Sequence, residues 1–492
     1  MGYYLGADLG TSALKLLLVD TNGKIIKETT KNYRVCFPNP GWSEQNPEDW
    51  WSAFVSGVKE LINGIDTSQI KGIGVGGQMH GLVVLDKDDN VIRPAILWND
   101  GRTDKETAYL NEVIGKEKLS SLTANIAFAG FTAPKILWLL NNEPENFTKI
   151  NKIMLPKDYL NYKLTGIHST DYSDASGMLL LDVKNKRWSN EMLKICSISK
   201  GQMPTLFESF EEIGTILPDI AAQLNLNANI VVVAGAGDNA AAAIGTGTVT
   251  DGKCNISLGT SGTVFVSSDK FSVDKNNALH SFCHASGSYH LMGCILSAAS
   301  CNSWFCEEIL GSNDYVKEQA NITDDKLGSN DVFFLPYLMG ERSPINDTDA
   351  RGTFTGMRMD TTRADMLQAV LEGVAFAIRD NFEIVKEQGI NITCSSLCGG
   401  GAKSELWQKI LCNVLNVDIT LLQTEQGPGY GAAMLAMVGC GEFDNVEECA
   451  AKFVKINKSI TPDTKINARY ETQYNKFKEI YPTLKNLFKK IK

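Results

Sequence analysis

The feature that most constrains the fold of this chain is a glycine turn that occurs twice. The stretches "GADLGTSALK" (6–15) and "NISLGTSGTV" (255–264) share the core LGTS, whose copies begin at Leu9 and Leu258, about half the chain apart. Short β-rich runs flank both copies. Backbone N–H groups and hydroxyls in such a turn bind anions such as phosphate. The repeat therefore predicts a duplicated domain whose copies face each other across a cleft and bring both turns to one ligand.

The two copies differ at the residue that precedes the shared core. Asp8 occupies this position in the first copy, and Ser257 occupies it in the second. A carboxylate at a phosphate-binding turn repels the anion, so the presence of an acid in the first copy alone has to be explained.

The rest of the chain predicts a multidomain α/β protein. Its 492 residues exceed one core, so two or three domains are expected. β-rich segments alternate with helical ones. One helix is predicted within 46–64, where Asn46 is the N-cap, and a longer one within 361–389, where Thr361 or Thr362 is the N-cap.

Charge and composition limit the partners. The net charge of −10 disfavours nucleic acid or an anionic membrane as the main partner. No apolar run approaches the ~18–20 residues of a membrane span, and the N-terminus lacks the apolar core of a signal peptide. We therefore expect a cytoplasmic protein. The twelve cysteines include no CxxC pair, and "HSFCHASGSYH" (280–290) is predicted to be a polar hairpin rather than a metal site.

Two segments imitate nucleotide-binding motifs. "GTVTDGKC" (247–254) nearly fits the Walker A pattern, but Cys254 has no hydroxyl for Mg²⁺ and a strand-like segment follows. "GIGVGG" (72–77) fits G-x-G-x-x-G, yet it also continues into a strand-like segment. We reject both as nucleotide sites.

A third segment, "GAGDNA" (235–240), has two interpretations as an active site. It follows a buried strand and opens a helix, as a dinucleotide-binding turn does, but Asp238 occupies the place of the pyrophosphate. An acid at a helix N-terminus is held ionised and suits a general base. An Asp at such a turn also often serves only as a helix cap. The sequence leaves the roles of base and cap open.

Several longer motifs together resemble the FGGY family of carbohydrate kinases, to about residue 440. "GFTAPKILWLLNN" (130–142) and "GTFTGMRMDTTRADMLQAVLE" (352–372) correspond to the two signatures of that family. Shorter motifs are similar to its D-xylulose-phosphorylating branch: "GQMHG" (77–81), "PAILWNDGR" (94–102), "LPKDYL" (155–160), "SDASG" (173–177) and "SAASC" (297–301).

The resemblance implies an α/β fold of two actin-like, ribonuclease-H-like domains flanking a catalytic cleft, as in the sugar kinase, heat-shock chaperone and actin superfamily. It implies a sugar-side domain over 1–246 and a nucleotide-side domain over 247–440. A C-terminal helical extension is expected over 441–492; its Lys-rich amphipathic end is predicted to be a surface helix, with a partner-binding helix as the alternative. A homodimer is a further expectation.

The resemblance also implies the reaction and the sugar site. The expected activity is ATP-dependent phosphorylation of D-xylulose to D-xylulose 5-phosphate, with Asp238 as the general base. Gln78, Met79 and His80 are expected to face the sugar, with His80 donating a hydrogen bond to a hydroxyl. Asn239 is expected to contact the sugar beside the base.

The nucleotide and metal sites follow from the same resemblance. Asp8 is expected to bind Mg²⁺ through water, with Asp238 as the second metal residue, which explains why only the first turn has an acid. Ser257 then needs only to contact phosphate oxygens. The residues expected to bind ATP are Thr11, Ser12, Lys15, Gly259, Thr260, Gly400, Gly401, Ala402 and Ser404.

Three alternatives stay open at this point. The chain could phosphorylate another ketose or polyol, such as D-ribulose or xylitol. It could instead be an actin-like ATPase that acts as a chaperone or filament, or a sugar sensor without turnover.

Overall fold

The computed structural model describes residues 2–423 and 427–491 and contains two large mixed sheets of seven strands each. From edge to edge, the first sheet consists of Glu212–Thr215, Val231–Val233, Ile70–Gly77, Tyr3–Leu9, Ala13–Asp20 and Ile25–Asn32, with Ala236–Gly237 also paired to Ile70–Gly77. The second sheet consists of His280–Cys283, Tyr289–Ile295, Gly262–Ser268, Lys253–Leu258, Cys394–Cys398, Asp418–Leu422 and Ile456–Ile460. Each sheet is the centre of one lobe, and the predicted two-lobed α/β fold is confirmed.

The two sheets repeat the same arrangement around their LGTS turns. In each, the turn joins a central strand to an antiparallel neighbour, Tyr3–Leu9 to Ala13–Asp20 and Lys253–Leu258 to Gly262–Ser268. On its other side each central strand pairs in parallel with a strand from much later in the chain. This matching order confirms that the repeated turn marks a duplicated core.

Helices and small two-stranded ladders surround the sheets. The α-helices are Pro47–Leu61, Asp104–Ala108, Lys116–Thr123, Thr132–Asn142, Pro144–Phe147, Pro156–Thr165, Tyr172–Ser176, Asn190–Ile195, Pro218–Leu224, Asp238–Gly245, Ala299–Trp304, Tyr315–Gln319, Arg363–Glu387, Glu405–Leu415, Gly427–Gly439, Val446–Phe453 and Thr464–Phe488. The ladders pair Glu44–Gln45 with Ala95–Ile96, Val83–Leu85 with Lys152–Met154, Ser169–Asp171 with Thr205–Phe207, Leu181–Asp182 with Arg187–Trp188, and Phe333–Leu335 with Thr353–Thr355. No helix in the described part of the chain is long and apolar enough to cross a membrane.

Both predicted helix starts are confirmed. Asn46 accepts a hydrogen bond from the Glu48 N–H, as an N-cap does. Thr362, rather than Thr361, caps the longer helix, and its bonds with Asp365 form a capping box.

The helix Gly427–Gly439 lies against the first sheet, although it follows six of the seven strands of the second sheet in the chain. It packs on Tyr3–Leu9 and Ile70–Gly77 and against the helix Asp238–Gly245. A Cβ at Gly74 would lie 2.0 Å from the Ala432 carbonyl oxygen. The "GIGVGG" pattern is therefore a strand whose glycines admit a helix backbone, which confirms that it is not a phosphate loop.

The C-terminal stretch 441–492 is not helical throughout. The strand Ile456–Ile460 pairs antiparallel with Asp418–Leu422 and forms the edge of the second sheet. The helix Thr464–Phe488 buries four aromatic side chains in the core of the second lobe: Tyr470, Tyr474, Phe477 and Phe488. The predicted surface helix is thus partly a core element. The domain limits 1–246, 247–440 and 441–492 stay predictions.

We expect Gly74→Ala to destabilise the protein strongly, because a methyl group at this position meets backbone that no rotamer change can move. Overpacking of this kind costs about 1–3 kcal/mol or more of the free energy of unfolding. Gly201→Ala is the matched control, since a Cβ there would lie 3.9 Å from Ser199 Oγ, at an ordinary van der Waals distance. Urea unfolding of both variants checks this, and equal stability would contradict the packing argument.

Candidate active site

A cavity of about 260 Å³ lies between the two lobes. Both halves of the chain line it: Met79, His80, Trp98, Phe128, Gly130, Phe131, Asp238 and Asn239 from the first, and Ser261, Thr263, Met292, Cys294 and Arg342 from the second. The structure thus brings together four of the five residues predicted to face the sugar. The fifth, Gln78, is not part of this lining.

Asp238 is the first residue of its helix, and Gly237 is the N-cap. Asp238 Oδ1 accepts hydrogen bonds from the backbone N–H (2.7 Å) and the side-chain Nδ2 (2.9 Å) of Asn239. Burial raises the pKa of Asp238 to about 6, and the two bonds from Asn239 oppose this shift. The side chain is therefore not the N-cap, and it lines the cavity with a pKa that suits proton transfer near neutrality.

Asp8 forms a like-charge pair with Asp238. Burial raises the pKa of Asp8 to about 7, the charge of Asp238 adds to the shift, and Lys15 opposes it. Across residues 2–423 and 427–491 no group of three or more His, Cys, Asp or Glu side chains could hold a metal ion. A pair of carboxylates is enough to bind Mg²⁺, because this ion keeps several water ligands and takes its other oxygen ligands from phosphates.

His80 is held in one orientation and one tautomer. Its Nδ1 lies 2.8 Å from the Gly177 carbonyl oxygen, which can only accept, so Nδ1 donates. Burial, with the positive charges of Lys135 and Arg342, lowers the pKa of His80 to about 3 and keeps the ring neutral. Nε2 is then an acceptor. The expectation that His80 donates to a sugar hydroxyl is therefore wrong: the ring can only accept from one.

Two glycines fit closely around the residues that line the cavity. A Cβ at Gly177, the last residue of "SDASG", would lie 2.4 Å from the His80 ring. A Cβ at Gly237 would lie 2.9 Å from Met79 Cγ. These close contacts fix the side chains of Met79 and His80 in the wall of the cavity.

Gln78 fixes the first LGTS turn instead of facing the cavity. Its Oε1 accepts from Thr11 Oγ1 (3.2 Å), and its Nε2 donates to Gln45 Oε1 (3.2 Å). Trp98 Nε1 donates to the same Thr11 hydroxyl at 2.9 Å. Because Trp98 lines the cavity, these bonds connect the turn to it. The first turn also contains Ser12. Lys15 lies opposite Asp8 on the neighbouring antiparallel strand.

The second LGTS turn is held by a helix N-terminus. The carbonyl oxygen of Thr260 accepts from the Ala298 N–H (2.9 Å) and from Ser300 Oγ (2.7 Å), and that of Gly259 accepts from the Ala299 N–H (2.8 Å). These donors belong to "SAASC", so this motif orients the carbonyls of the turn.

Four of the residues expected to bind ATP, Gly400, Gly401, Ala402 and Ser404, lie in one segment, and one of them is open. A Cβ at Gly400 would meet no atom within 4 Å, whereas Gly401 and Ala402 are buried. Ser404 Oγ caps the next helix by accepting from the Trp407 N–H (3.1 Å) and donates to Gln319 (2.7 Å). Gly400 is therefore the member of this set whose surface is open to a ligand.

Two other sequence interpretations are resolved by packing. Gly235 of "GAGDNA" has φ of 73°, and a Cβ there would lie 1.9 Å from the Val75 carbonyl oxygen. A glycine is therefore needed here because the chain passes close to the strand Ile70–Gly77. The predicted hairpin is confirmed, since His280–Cys283 pairs antiparallel with Tyr289–Ile295.

A buried charged network supports the segment before Asp238. Lys157 Nζ lies 2.7 Å from Asp158, 2.9 Å from Asp171 and 3.8 Å from Asp174, and all four side chains are fully buried. Burial raises the pKa of Asp174 well above its usual range despite the nearby lysine.

The network reaches Gly237, the residue before Asp238, through one serine. Asp171 Oδ2 accepts from the Ser173 N–H at 2.8 Å, and Ser173 Oγ accepts from the Gly237 N–H at 3.2 Å. "LPKDYL" and "SDASG" therefore position the residue next to Asp238. Sequence reasoning gave these motifs no role of their own, and it missed Arg342, for which "GERSP" offered no signal.

Comparison with known proteins identifies the relatives of this chain. The models of the FGGY family of carbohydrate kinases match over residues 3–245 for the N-terminal domain and 254–440 for the C-terminal domain. The xylulose kinase of Bacillus subtilis (strain 168) is 38% identical over 99% of this chain and 98% of its own length. That of Escherichia coli (strain K12) is 39% identical over 98% and 99%. The crystal structure of a xyloylose kinase from Brucella ovis is 40% identical, with a TM-score of 0.94 over 99% of this chain and 100% of that one.

We expect Lys157→Met to destabilise the protein by about 3–5 kcal/mol near neutral pH, because three buried carboxyls lose their cation. Buried carboxyls with raised pKa bind protons more readily in the folded than in the unfolded state, so stability falls as the pH rises above the unfolded value near 4. Urea unfolding at pH 5.5 and 8 should therefore show the larger loss at pH 8.

Lys118→Met is the control for this substitution, since the Lys118–Glu191 pair is about half exposed on both sides. A loss for Lys157→Met that is equal at the two pH values would contradict the assignment of the network.

Proposed function

The chain belongs to the FGGY family of carbohydrate kinases, and from this we propose that it transfers the γ-phosphoryl group of ATP to the 5-hydroxyl of D-xylulose. The xylulose kinases that it resembles over nearly its full length support this substrate. The observation that carries the proposal is the cavity between the lobes, where Asp238, His80, Met79 and Asn239 meet.

Phosphoryl transfer depends mainly on positioning and on stabilising charge. In our proposal Asp238 accepts the proton of the 5-hydroxyl while O5 forms a bond to the γ-phosphorus and the bond to the ADP oxygen breaks. His80 Nε2 accepts from another hydroxyl, Asn239 contacts the sugar, and Met79 packs on its carbon chain. Asp238 fits the role of base because it is partly buried, lines the cavity and has a pKa raised to about 6 by burial.

The LGTS turns would hold the phosphates. Thr11 and Ser12 on one side and Gly259 and Thr260 on the other supply N–H groups and hydroxyls. Lys15 stands opposite Asp8 and completes the first side. We assign the nucleoside to the open surface at Gly400. Gly401, Ala402 and Ser404 follow Gly400 in the chain and pack behind this surface.

Mg²⁺ belongs to the same proposal. The pair of partly buried carboxyls of Asp8 and Asp238 fits a divalent cation, because the charge of Asp238 disfavours ionisation of Asp8 until a positive charge is present. When bound, the ion neutralises charge on the phosphates. Ser257, opposite Thr263 in the second sheet, has no such partner and needs only to contact phosphate.

A cytoplasmic location and a homodimer complete the proposal. Cell fractionation and analytical ultracentrifugation test these two points, and neither bears on the reaction itself.

D-xylulose is expected to be phosphorylated with a kcat/KM well above that for D-ribulose, xylitol or glycerol. ADP release with each compound, and with no sugar, measures this. A preference for D-ribulose or a polyol would reassign the substrate. ADP release that no sugar accelerates would favour the actin-like ATPase, and sugar binding without any ADP release would favour the sensor.

Asp238→Asn and Asp8→Asn are expected to fail in different ways. The amide at 238 can still accept from Asn239 but cannot take a proton, so kcat should fall roughly 10²–10⁴-fold even when Mg²⁺ is saturating. Asp8→Asn should raise the Mg²⁺ concentration for half-maximal rate by about 10–100-fold. Steady-state kinetics over a Mg²⁺ titration measure both.

Ser257→Ala is the matched control in the other turn, with kcat within roughly tenfold of the native value. Near-normal kcat in a folded Asp238→Asn variant would remove Asp238 as the base. Equal losses for Asp8→Asn and Ser257→Ala, with an unchanged Mg²⁺ requirement, would contradict the metal assignment.

A further inference from the structure

The proposed reaction, on which this inference rests, fixes the chemical form of the sugar that must bind. In a 2-ketopentose, O5 is the hydroxyl oxygen that closes a five-membered ring on the C2 carbonyl. A molecule whose O5 is free to attack phosphorus is therefore open-chain and presents an unmasked ketone at C2. A ketone oxygen accepts hydrogen bonds and cannot donate them, so the cavity needs a donor for it.

The first half of the chain supplies few donors to the cavity. His80 donates through Nδ1 to Gly177, which leaves its free nitrogen an acceptor. Trp98 Nε1 donates to Thr11. Asn239 Nδ2 donates one of its two hydrogens to Asp238, and the same amide also presents an acceptor oxygen, so it does not distinguish a ketone from an alcohol. Met79, Phe128 and Phe131 have no polar hydrogen. This side of the cavity suits hydroxyl groups better than a ketone.

Arg342 is the cation that the second half of the chain adds to the lining. Its guanidinium has five N–H donors and no acceptor. The hydroxyls of Ser261 and Thr263, the other polar side chains on this side, can donate or accept and therefore do not distinguish a ketone from an alcohol. A charged donor also makes a stronger hydrogen bond than a neutral one.

The residues on either side of Arg342 hold it in place. The Glu341 carboxylate accepts from the Arg342 backbone N–H at 2.7 Å, and the Ser343 N–H donates to the Cys294 carbonyl oxygen at 3.0 Å. The guanidinium carbon lies 5.4 Å from the centre of the ring of Phe128, which lines the cavity from the first half of the chain. Within residues 2–423 and 427–491, no carboxylate forms an ion pair with this guanidinium, so its charge is available to a ligand.

We propose that Arg342 is a substrate-binding residue that donates to the C2 ketone of the open-chain sugar and so selects ketoses over polyols. The ketone at C2 lies near one end of the carbon chain, and the reacting hydroxyl at C5 lies at the other end. Arg342 and Asp238 come from opposite halves of the protein and line the same cavity. A bound ketose therefore connects the two lobes through its two ends, whereas a polyol offers Arg342 only a hydroxyl.

The test compares D-xylulose with xylitol, which has a hydroxyl in place of the ketone. Affinities are measured without ATP by intrinsic tryptophan fluorescence, since Trp98 lines the cavity, and kcat/KM is measured for each compound with ATP. Arg342→Met should weaken D-xylulose binding roughly 10- to 100-fold and raise KM more than it lowers kcat. Xylitol affinity should change less than about threefold, the loss expected for a weaker neutral contact.

Two further variants keep the result interpretable. Arg342→Lys retains the charge without the planar fork and should give an intermediate loss for D-xylulose. Arg358→Met is the control, because Arg358 is an exposed arginine that pairs with Asp331 away from the cavity; it should leave both affinities unchanged.

The outcomes separate this inference from the proposed function. If native protein phosphorylates D-xylulose but Arg342→Met weakens both compounds equally, or neither, the assignment of Arg342 is overturned and the proposed function stands. If native protein prefers D-ribulose, the proposed substrate fails, and the same comparison with D-ribulose and ribitol decides the inference. If native protein binds xylitol as tightly as D-xylulose, ketone selection is overturned.

Discussion

The close contact between two equivalent helices is the constraint on which the rest of the structure depends. Asp238–Gly245 and Gly427–Gly439 follow corresponding strands of the two sheets and pack against each other with almost no side chain between them. A Cβ at Gly431 would lie 1.8 Å from the Ala241 carbonyl oxygen, and one at Gly245 would lie 2.9 Å from that of Gly427. Backbone contacts of this kind cannot be relaxed by a change of rotamer. They fix Asp238, at the start of its helix, relative to both lobes.

Carboxyl groups with raised pKa values are also concentrated near the centre of the protein. Lys157 lies close to three buried carboxyls. The charge of Asp238 raises the pKa of Asp8 and also that of Asp174, one of the three. Burial makes each negative charge costly, and it raises the pKa of Asp8, Asp174 and Asp238. Such a region binds a cation or a proton more readily than an exposed surface does. The same burial that destabilises the site therefore favours the chemistry proposed for it.

The sequence predicted those features that depend on local residues. The repeated turn predicted the duplicated sheets, and Asn46 and Thr362 marked helix starts, because turn and cap chemistry acts over a few residues. The position of Gly427–Gly439 could not be predicted, since a helix that is apolar on all sides does not indicate which sheet it covers. The His80 tautomer depends on a carbonyl 97 residues away. Neither the Gln78 contact with Thr11 nor the place of Arg342 in the cavity has a local signal.

The difference between the two turns follows from what lies opposite each of them. The first turn is held by the side chains of Gln78 and Trp98, so it is connected to the cavity that contains Asp238. The second is held by backbone groups and Ser300 at the start of the helix Ala299–Trp304. The described residues of the helix Gly427–Gly439, the counterpart of the one that begins with Asp238, include no acidic side chain. A carboxylate at position 257 would therefore have no acidic partner among those residues, and it would only add negative charge beside the phosphate that we propose for the second turn. The duplicated fold has two equivalent turns, and in our proposal the acid at the start of the helix in the first half accounts for the acid at position 8.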